Sequence, residues 1–297
     1  MHLKISPFRA GYVAIVGRPN VGKSTLLNHL IQQKLAIVTP KPQTTRHRIL
    51  GILNGDNYQV VFLDTPGIMQ PKYFLQKRML NTTQATMKEA DLILMMIEVT
   101  GDQLQNEKIS QSLKSFPATK FLIINKIDLV DKNKILPIID RFQVMNLFQE
   151  ILPISALKKD GLNLLLSLIV EKLPEGLPFY SQDVISDEPE RFFVAEIIRE
   201  KIFFHFGEEI PYATSVHVET FEEKRGHKDF IRAVIYVERN SQKGILIGKG
   251  GQALKKVGSL AREDIEHFLK RPVFLELQVQ IKKKWRKDAK LVTRLGY

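Results

Sequence analysis

Gly17-Arg18-Pro19-Asn20-Val21-Gly22-Lys23-Ser24 decides how this 297-residue chain is read. It matches G-x-x-x-x-G-K-[ST], the phosphate-binding P-loop. The flanks agree: Tyr12–Val16 reads as a buried parallel strand, and Thr25–Ile31 reads as a helix with Leu26, Leu27 and Leu30 turned inward. Glycines let the backbone curl so that successive N–H groups face phosphate oxygens, and the helix N-terminus adds partial positive charge. Lys23 is expected to reach the β- and γ-phosphates, and the Ser24 hydroxyl to serve a Mg2+ ion bridging them.

Downstream, the polar, Pro-broken stretch Thr39–Arg48 follows apolar Leu35–Val38 and reads as a mobile switch loop. Either Thr44 or Thr45 there can supply a second Mg2+ ligand. Two strand patterns, 48–53 and 58–63, flank Asn54-Gly55-Asp56-Asn57 and form a hairpin. The second runs into Asp64-Thr65-Pro66-Gly67. A carboxylate at a strand's C-terminal end suits Mg2+, and Gly67 can offer its N–H to a γ-phosphate. Ile68 stands where many GTPases carry a glutamine that orients water, and an apolar side chain cannot do that work. Segments 90–97 and 120–124 read as two more buried strands, with a polar helix from about Gln103 to Leu113 between them. The second leads into Asn125-Lys126-Ile127-Asp128. The Asp128 carboxylate can accept from both N1–H and the exocyclic amine of guanine, which adenine cannot supply, so the site selects guanine by leaving acceptors unpaired with the wrong base. Asn125 should tie this loop to the P-loop, with the Lys126 stem over the purine. A sixth short strand, 151–154, ends in Ser155-Ala156, whose backbone N–H is placed to donate to guanine O6. The helix 162–173 closes the unit.

Lys and Arg outnumber Asp and Glu by 44 to 32, a formal charge of +12, which favours a polyanionic partner. Residues 189–297 hold 22 basic and 15 acidic side chains and are the denser in positive charge. No apolar run approaches the roughly 18–20 residues needed to span a membrane. The start of the chain lacks a secretory h-region and there is no cysteine, so the expected setting is the cytoplasm.

Past a Pro- and acid-containing connector, 177–189, the pattern changes. Arg191–Phe206 has helical spacing with Phe192, Ala195, Ile198, Ile202 and Phe206 as the buried stripe. Segments 214–221, 230–237 and 274–281 alternate as strands, and His205 and His217 read as core histidines. Between the last two strands lies Gly248-Lys249-Gly250-Gly251, a G-x-x-G loop opening a helix that carries Lys255, Lys256 and Arg262. Such loops clamp single-stranded RNA: missing Cβ atoms admit the sugar-phosphate backbone and the cations meet further phosphates. Trp285, inside the basic run 282–287, either stacks on a base or is tucked into the fold, and is assigned no role.

The P-loop, Gln43–Arg48, Asp64–Gly67 and Asn125–Asp128, in this order, resemble the Era-like family of translation-factor-related, Ras-like GTPases, and the C-terminal third resembles its type II KH domain. The likeness covers almost the whole chain. It implies an α/β fold, a P-loop GTPase domain with a mixed, mostly parallel sheet (1–176), a linker (177–189) and a smaller α+β type II KH domain (190–297). It implies GTP/GDP and Mg2+ as ligands, with Ser24, Thr45 and Asp64 around the metal and Thr45 preferred over Thr44. It further suggests a K+ ion held by Asn20 near the phosphates, and binding near the 3′ end of small-subunit ribosomal RNA in small-subunit assembly. The expected catalytic set is Lys23, Thr45, Asn20 and Gly67, turnover is expected to be slow, and the protein is expected to be a monomer. Two rivals are an RNA-binding module with GTP as a structural ligand, and a signalling GTPase in weak peripheral contact with anionic lipid.

Overall fold

A computed structural model describes residues 7–100, 113–224 and 226–297, which divide into two compact units. The helix expected from Gln103 to Leu113 falls almost wholly on 101–112, outside the described residues.

The first unit holds a six-stranded sheet. Its elements are β1 (Arg9–Gly17), α1 (Lys23–Ile31), β2 (Ile49–Gly55), β3 (Tyr58–Asp64), α2 (Phe74–Glu89), β4 (Leu92–Glu98), β5 (Thr119–Asn125), α3 (Leu136–Gln143), β6 (Glu150–Pro153) and α4 (Leu162–Lys172). Strand order is β2-β3-β1-β4-β5-β6, and only the β2–β3 hairpin pairs antiparallel. The parallel strands are continuous apolar runs because both faces are covered: all of Leu92–Ile97 is buried. α1 lies close over β2 at Gly51, where a Cβ would come within 3.0 Å of Leu27 and Ile31. The register sets Ile15 opposite Asp64, Gly17 opposite Met96 and Glu98 opposite Asn125. Three motifs thereby share the C-terminal edge of the sheet, where open α/β sheets bind ligands.

Residues 177–187, expected as linker, lie along β2. Ile52 N–H donates to Ile185 C=O at 2.9 Å, and Tyr180 and Val184 pack on Leu50, Ile52, Val61 and Leu63. Gln59 is fully buried and satisfied: its Nε2 donates to Asn54 Oδ1 and Tyr180 C=O, and its Oε1 accepts from Phe179 and Tyr180 N–H. The segment thus covers an edge strand that would otherwise present unpaired backbone. The division between units falls after Asp187.

The second unit comprises 188–297 together with the segments 37–44 and 71–78. Helix α5 (Glu190–His205) precedes β7 (Ser215–Glu222) and β8 (Asp229–Val237), and α6 (Asn240–Ile247) and α7 (Gln252–Leu269) precede β9 (Val273–Ile281). β7 pairs antiparallel with β8 through a bulge between Val218 and Thr220, and β8 pairs parallel with β9. One sheet face, with Ile231, Ala233, Ile235 and Val237, packs with Val194, Ile198 and Ile202 of α5 and Val257, Ala261 and Ile265 of α7.

Three expectations are corrected here. The α5 stripe is centred on Val194, Ile198 and Ile202, while Phe192 is only half-buried and packs edge-on against Phe193; Glu196, Arg199 and Glu200 are buried as well, so the helix is covered nearly all round. His205 and His217 are exposed rather than core, because His205 ends its helix and His217 sits on the sheet face turned away from the helices. Helix α6 was not foreseen; its pattern is broken by Gly244, but Gln242 Oε1 caps it by accepting from the N–H groups of Glu238 and Arg239. Trp285 is fully buried, donates Nε1–H to Ala213 C=O at 2.8 Å and stacks on Tyr297.

Candidate functional sites

At the end of β1 the P-loop runs through Gly17, Asn20 (φ 64°) and Gly22 (φ 101°). Glycine is required twice over at 22: its backbone is left-handed, and a Cβ would lie 2.2 Å from Asn125 Nδ2. Gly67 packs so tightly that a Cβ would come within 2.6 Å of Pro19 N. Ile68 N–H donates to Gly17 C=O at 2.9 Å, and its half-buried side chain packs against the apolar core. Thr65 Oγ1 donates to Ile15 C=O and Thr83 Oγ1 to Pro66 C=O, bracing the loop after β3. Arg18 and Asn20 are exposed, Val21 is buried and Thr25 is half-buried.

Lys23, Ser24, Thr45 and Asp64 meet at this end of the sheet. Lys23 Nζ donates to Arg18 C=O at 2.9 Å and to Gly17 C=O at 3.3 Å. Ser24 Oγ lies 2.9 Å from Thr45 Oγ1 and donates to Asp64 Oδ2 at 2.6 Å. Burial pushes the Asp64 carboxyl up to about 6, opposed by Lys23 and by the Ser24 hydrogen bond, and burial lowers the Lys23 ammonium to about 8, opposed by Asp64. Asp64 Oδ1 is buried with no hydrogen-bond partner among the described residues. A buried orphan acceptor is costly unless something positive meets it. Two hydroxyls and a carboxylate form the all-oxygen donor set that Mg2+ prefers, so these residues fit that ion. Thr44 Oγ1 instead bonds Thr39 Oγ1 and Lys41 C=O, turned into its own segment.

At the other end of the site Asn125 is the hub. Its Nδ2 donates to Val21 C=O at 2.7 Å and its Oδ1 accepts from Ala156 N–H at 2.8 Å. The first bond is the expected tie to the P-loop. The second fastens the Ser155-Ala156 turn, expected to face guanine O6, to the same asparagine. Ser155 Oγ donates to Asp128 Oδ1 at 2.5 Å, orienting the carboxylate, and Ile127 N–H bonds Ile154 C=O. Lys126 is left-handed (φ 66°) and its ammonium pairs with Glu98 Oε2 at 2.8 Å. Glu98 was missed in the sequence; its only signal is a lone carboxylate closing an apolar strand. His29, also missed, sets Nδ1 against Ala156 C=O at 2.5 Å.

In the second unit Gly248, Gly250 and Gly251 all have positive φ (72°, 58° and 77°), and a Cβ on Gly248 would lie 2.7 Å from Ala253 Cβ. Beside this loop runs a cleft of about 370 Å³ between α7 and β9, lined by Gly251, Leu254, Lys255, Gly258, Ser259, Arg262, Leu275 and Leu277. Lys255 and Arg262 stand on it, two turns apart. Lys256, expected with them, lies about 100° further round the helix, outside the lining and exposed. Lys249 is exposed at the loop tip. An apolar floor with cations on its rim can hold unpaired bases while meeting phosphates.

The fold and these sites define a P-loop GTPase with a C-terminal KH domain. Residues 12–126 match the family model described as 50S ribosome-binding GTPase, and residues 209–286 match the KH domain. The chain is 45% identical over 291 residues to GTPase Era of Ruminiclostridium cellulolyticum, covering 98% of each, and 47% identical over 296 residues to GTPase Era of Geobacter metallireducens, covering 98% and 99%. Among solved structures it is similar to a single-residue variant of Era from Aquifex aeolicus bound to GDP and AlF4− (TM-score 0.94, 41% identity, 98% and 99% covered). It is equally similar to Era in complex with MgGDPNP and nucleotides 1506–1542 of 16S ribosomal RNA (TM-score 0.94, 42% identity, 98% and 99% covered). The chain belongs to the Era family of GTPases. No helix among the described residues is long and apolar enough to cross a membrane.

Proposed function

We propose that this protein is a GTP-hydrolysing switch that binds the 3′-end region of small-subunit ribosomal RNA through the cleft beside Gly248–Gly251 and assists small-subunit assembly. The observation that carries the nucleotide half is the Ser24–Thr45–Asp64 oxygen cluster with its orphaned Asp64 Oδ1. The RNA half is supported by the Lys255–Arg262 cleft and by the RNA-bound relative. In this reading the amides of residues 17–24 and Lys23 hold the phosphates, and Ser24, Thr45 and Asp64 hold Mg2+. When bound, that ion offsets charge on the phosphate oxygens. Asn125, Lys126 and Asp128 hold guanine, with the Ser155–Ala156 turn bracing them. Gly67 N–H meets the γ-phosphate, and water attacks in line without a covalent intermediate. With apolar Ile68 directly after Gly67, that position has no amide to orient the water, so intrinsic turnover is slow. Asn20, exposed on the P-loop, is the residue we assign to a K+ ion; equal single-turnover rates in saturating K+ and Na+ would remove that assignment. The reading has the protein act in the cytoplasm.

The test is binding of a short RNA copied from the 3′ end of the organism's own 16S ribosomal RNA, at fixed salt, with GDP and then a non-hydrolysable GTP analogue. Tighter binding with the analogue is expected. Equal binding would retain the RNA partner and remove the switch. Absence of binding in both states, alongside co-sedimentation with anionic vesicles, would favour the lipid-surface rival.

A further inference from the structure

Helix α1 begins among the phosphate-binding residues and ends beside the guanine-selecting loops of the same unit. His29, in its last turn, sets Nδ1 2.5 Å from the carbonyl oxygen of Ala156, a residue 127 positions away in sequence. A carbonyl can only accept, so Nδ1 carries the proton and donates it. His29 is half-buried and Ala156 is 1% exposed, which keeps the bond largely out of water.

This bond closes a ring. One arm runs from the P-loop through Asn125, whose Nδ2 donates to Val21 C=O and whose Oδ1 accepts from Ala156 N–H. The other arm runs along α1: seven residues beyond Gly22, about 10 Å along the helix axis, His29 reaches the same turn again. Both backbone polar groups of Ala156 are thereby held, the N–H by Asn125 and the C=O by His29. Ser155 and Asp160 also exchange two backbone bonds, but these join the turn only to its own continuation and move with it. What the turn carries forward is the Ser155 hydroxyl, which donates to Asp128 Oδ1 at 2.5 Å. A second fixed point removes rotational freedom that a single tether leaves.

We propose that His29 is a positioning residue for guanine selection: by holding the Ala156 carbonyl it fixes the Ser155–Ala156 turn, and through the Ser155 hydroxyl it fixes the angle of the Asp128 carboxylate. The proposal rests on Asp128 being the group that reads guanine. His29 lies outside the nucleotide motifs, and its effect passes through Ala156 and Ser155. A carboxylate that accepts from N1–H and the exocyclic amine together tolerates little rotation, because hydrogen bonds weaken steeply with misalignment. GDP and GTP share the base, so loosening the turn weakens both alike and leaves the chemistry at the phosphate end to its own residues.

The test uses the full-length chain and compares Kd for GDP, for a non-hydrolysable GTP analogue and for inosine diphosphate, whose base keeps N1–H and lacks the amine. Single-turnover GTP hydrolysis is measured with protein in excess. His29→Phe keeps a ring and removes the donor, leaving the buried carbonyl unpaired. The expected result is a Kd raised about fivefold for both GDP and the analogue, and a preference for GDP over inosine diphosphate reduced about threefold. The single-turnover rate should stay within about twofold of the parent. His29→Asn places an amide N–H where Nδ1 stood and should restore most of the preference. His29→Leu, which also lacks the donor and favours a helix, makes the same comparison if His29→Phe does not fold. In an Asp128→Ala background His29→Phe should leave the preference where Asp128→Ala alone puts it. An Asp128→Ala chain with the parental preference would remove the guanine reading itself. A preference lowered by Asp128→Ala but parental in the donor-less His29 variants would overturn the positioning role. Equal weakening of GDP and inosine diphosphate binding, or a His29→Asn chain no better than His29→Phe, would overturn it too.

Discussion

At the scale of single residues the site is governed by what burial does to charge. Asp64 keeps its proton up to about pH 6 because its carboxylate is out of water, yet Mg2+ requires the ionised form. Metal binding must therefore expel a proton below that value, and Mg2+ affinity falls with acidification. Between pH 7.5 and pH 5.5 the ionised fraction drops about fourfold, and the Mg2+ Kd measured with a GTP analogue should rise by about the same factor. A Kd that stays flat over this range would mean that Asp64 titrates like a solvated carboxylate. Without metal the sign for folding is opposite. A raised carboxyl pKa contributes stability that is present below the unfolded value and lost as pH rises through 6, so Asp64→Asn should lift the metal-free melting temperature at pH 7.5 more than at pH 4. Much of this cluster was legible in the sequence, because Ser24 and Asp64 sit at fixed motif positions. The choice of Thr45 over Thr44 by geometry was not, since it depends on which hydroxyl faces Ser24 and which faces Thr39.

At the scale of elements, alternation and helical spacing placed most strands and the helices α1, α4 and α5 to within a residue or two, while α2, α3 and α6 were not foreseen. The errors share a cause: a pattern of apolar residues reports that a face is covered, not by what. Helix α5 has charged side chains buried beside its apolar stripe, and Lys256 is one step of about 100° away from the cleft that takes Lys255. Trp285 shows the same limit, since a basic run around an aromatic suits both a stacking platform and a packed anchor. Being fully buried and hydrogen-bonded to Ala213 C=O, it should be shielded from acrylamide, and saturating RNA should leave its emission nearly unchanged. A large RNA-dependent quench would contradict that placement. Trp285→Phe removes the donor and leaves a buried carbonyl, so a stability loss of about 1–3 kcal/mol by denaturant titration is expected.

For the whole molecule the formal charge of +12 sets a long-range attraction to polyanions, while the cleft selects where it is used. Binding of the ribosomal RNA segment should weaken steeply with salt, and Lys255→Ala or Arg262→Ala should each flatten the log–log slope by about 0.7, the value for one phosphate contact on a single strand. Lys256→Ala, off the cleft, should leave the slope near that of the parent. The sequence by itself determined the two-domain α/β and KH plan, the guanine-selecting tetrapeptide and the P-loop, because each is a short run whose chemistry needs particular residue types at fixed spacing. Tertiary structure alone decided the rest. Residues 177–187 cover an edge strand, the Ala156 N–H goes to Asn125, and Arg199 holds the Thr44 carbonyl across 155 positions of chain. Those partners are set by where the backbone brings unsatisfied polar groups together, and no local pattern of residue types encodes a meeting at that distance.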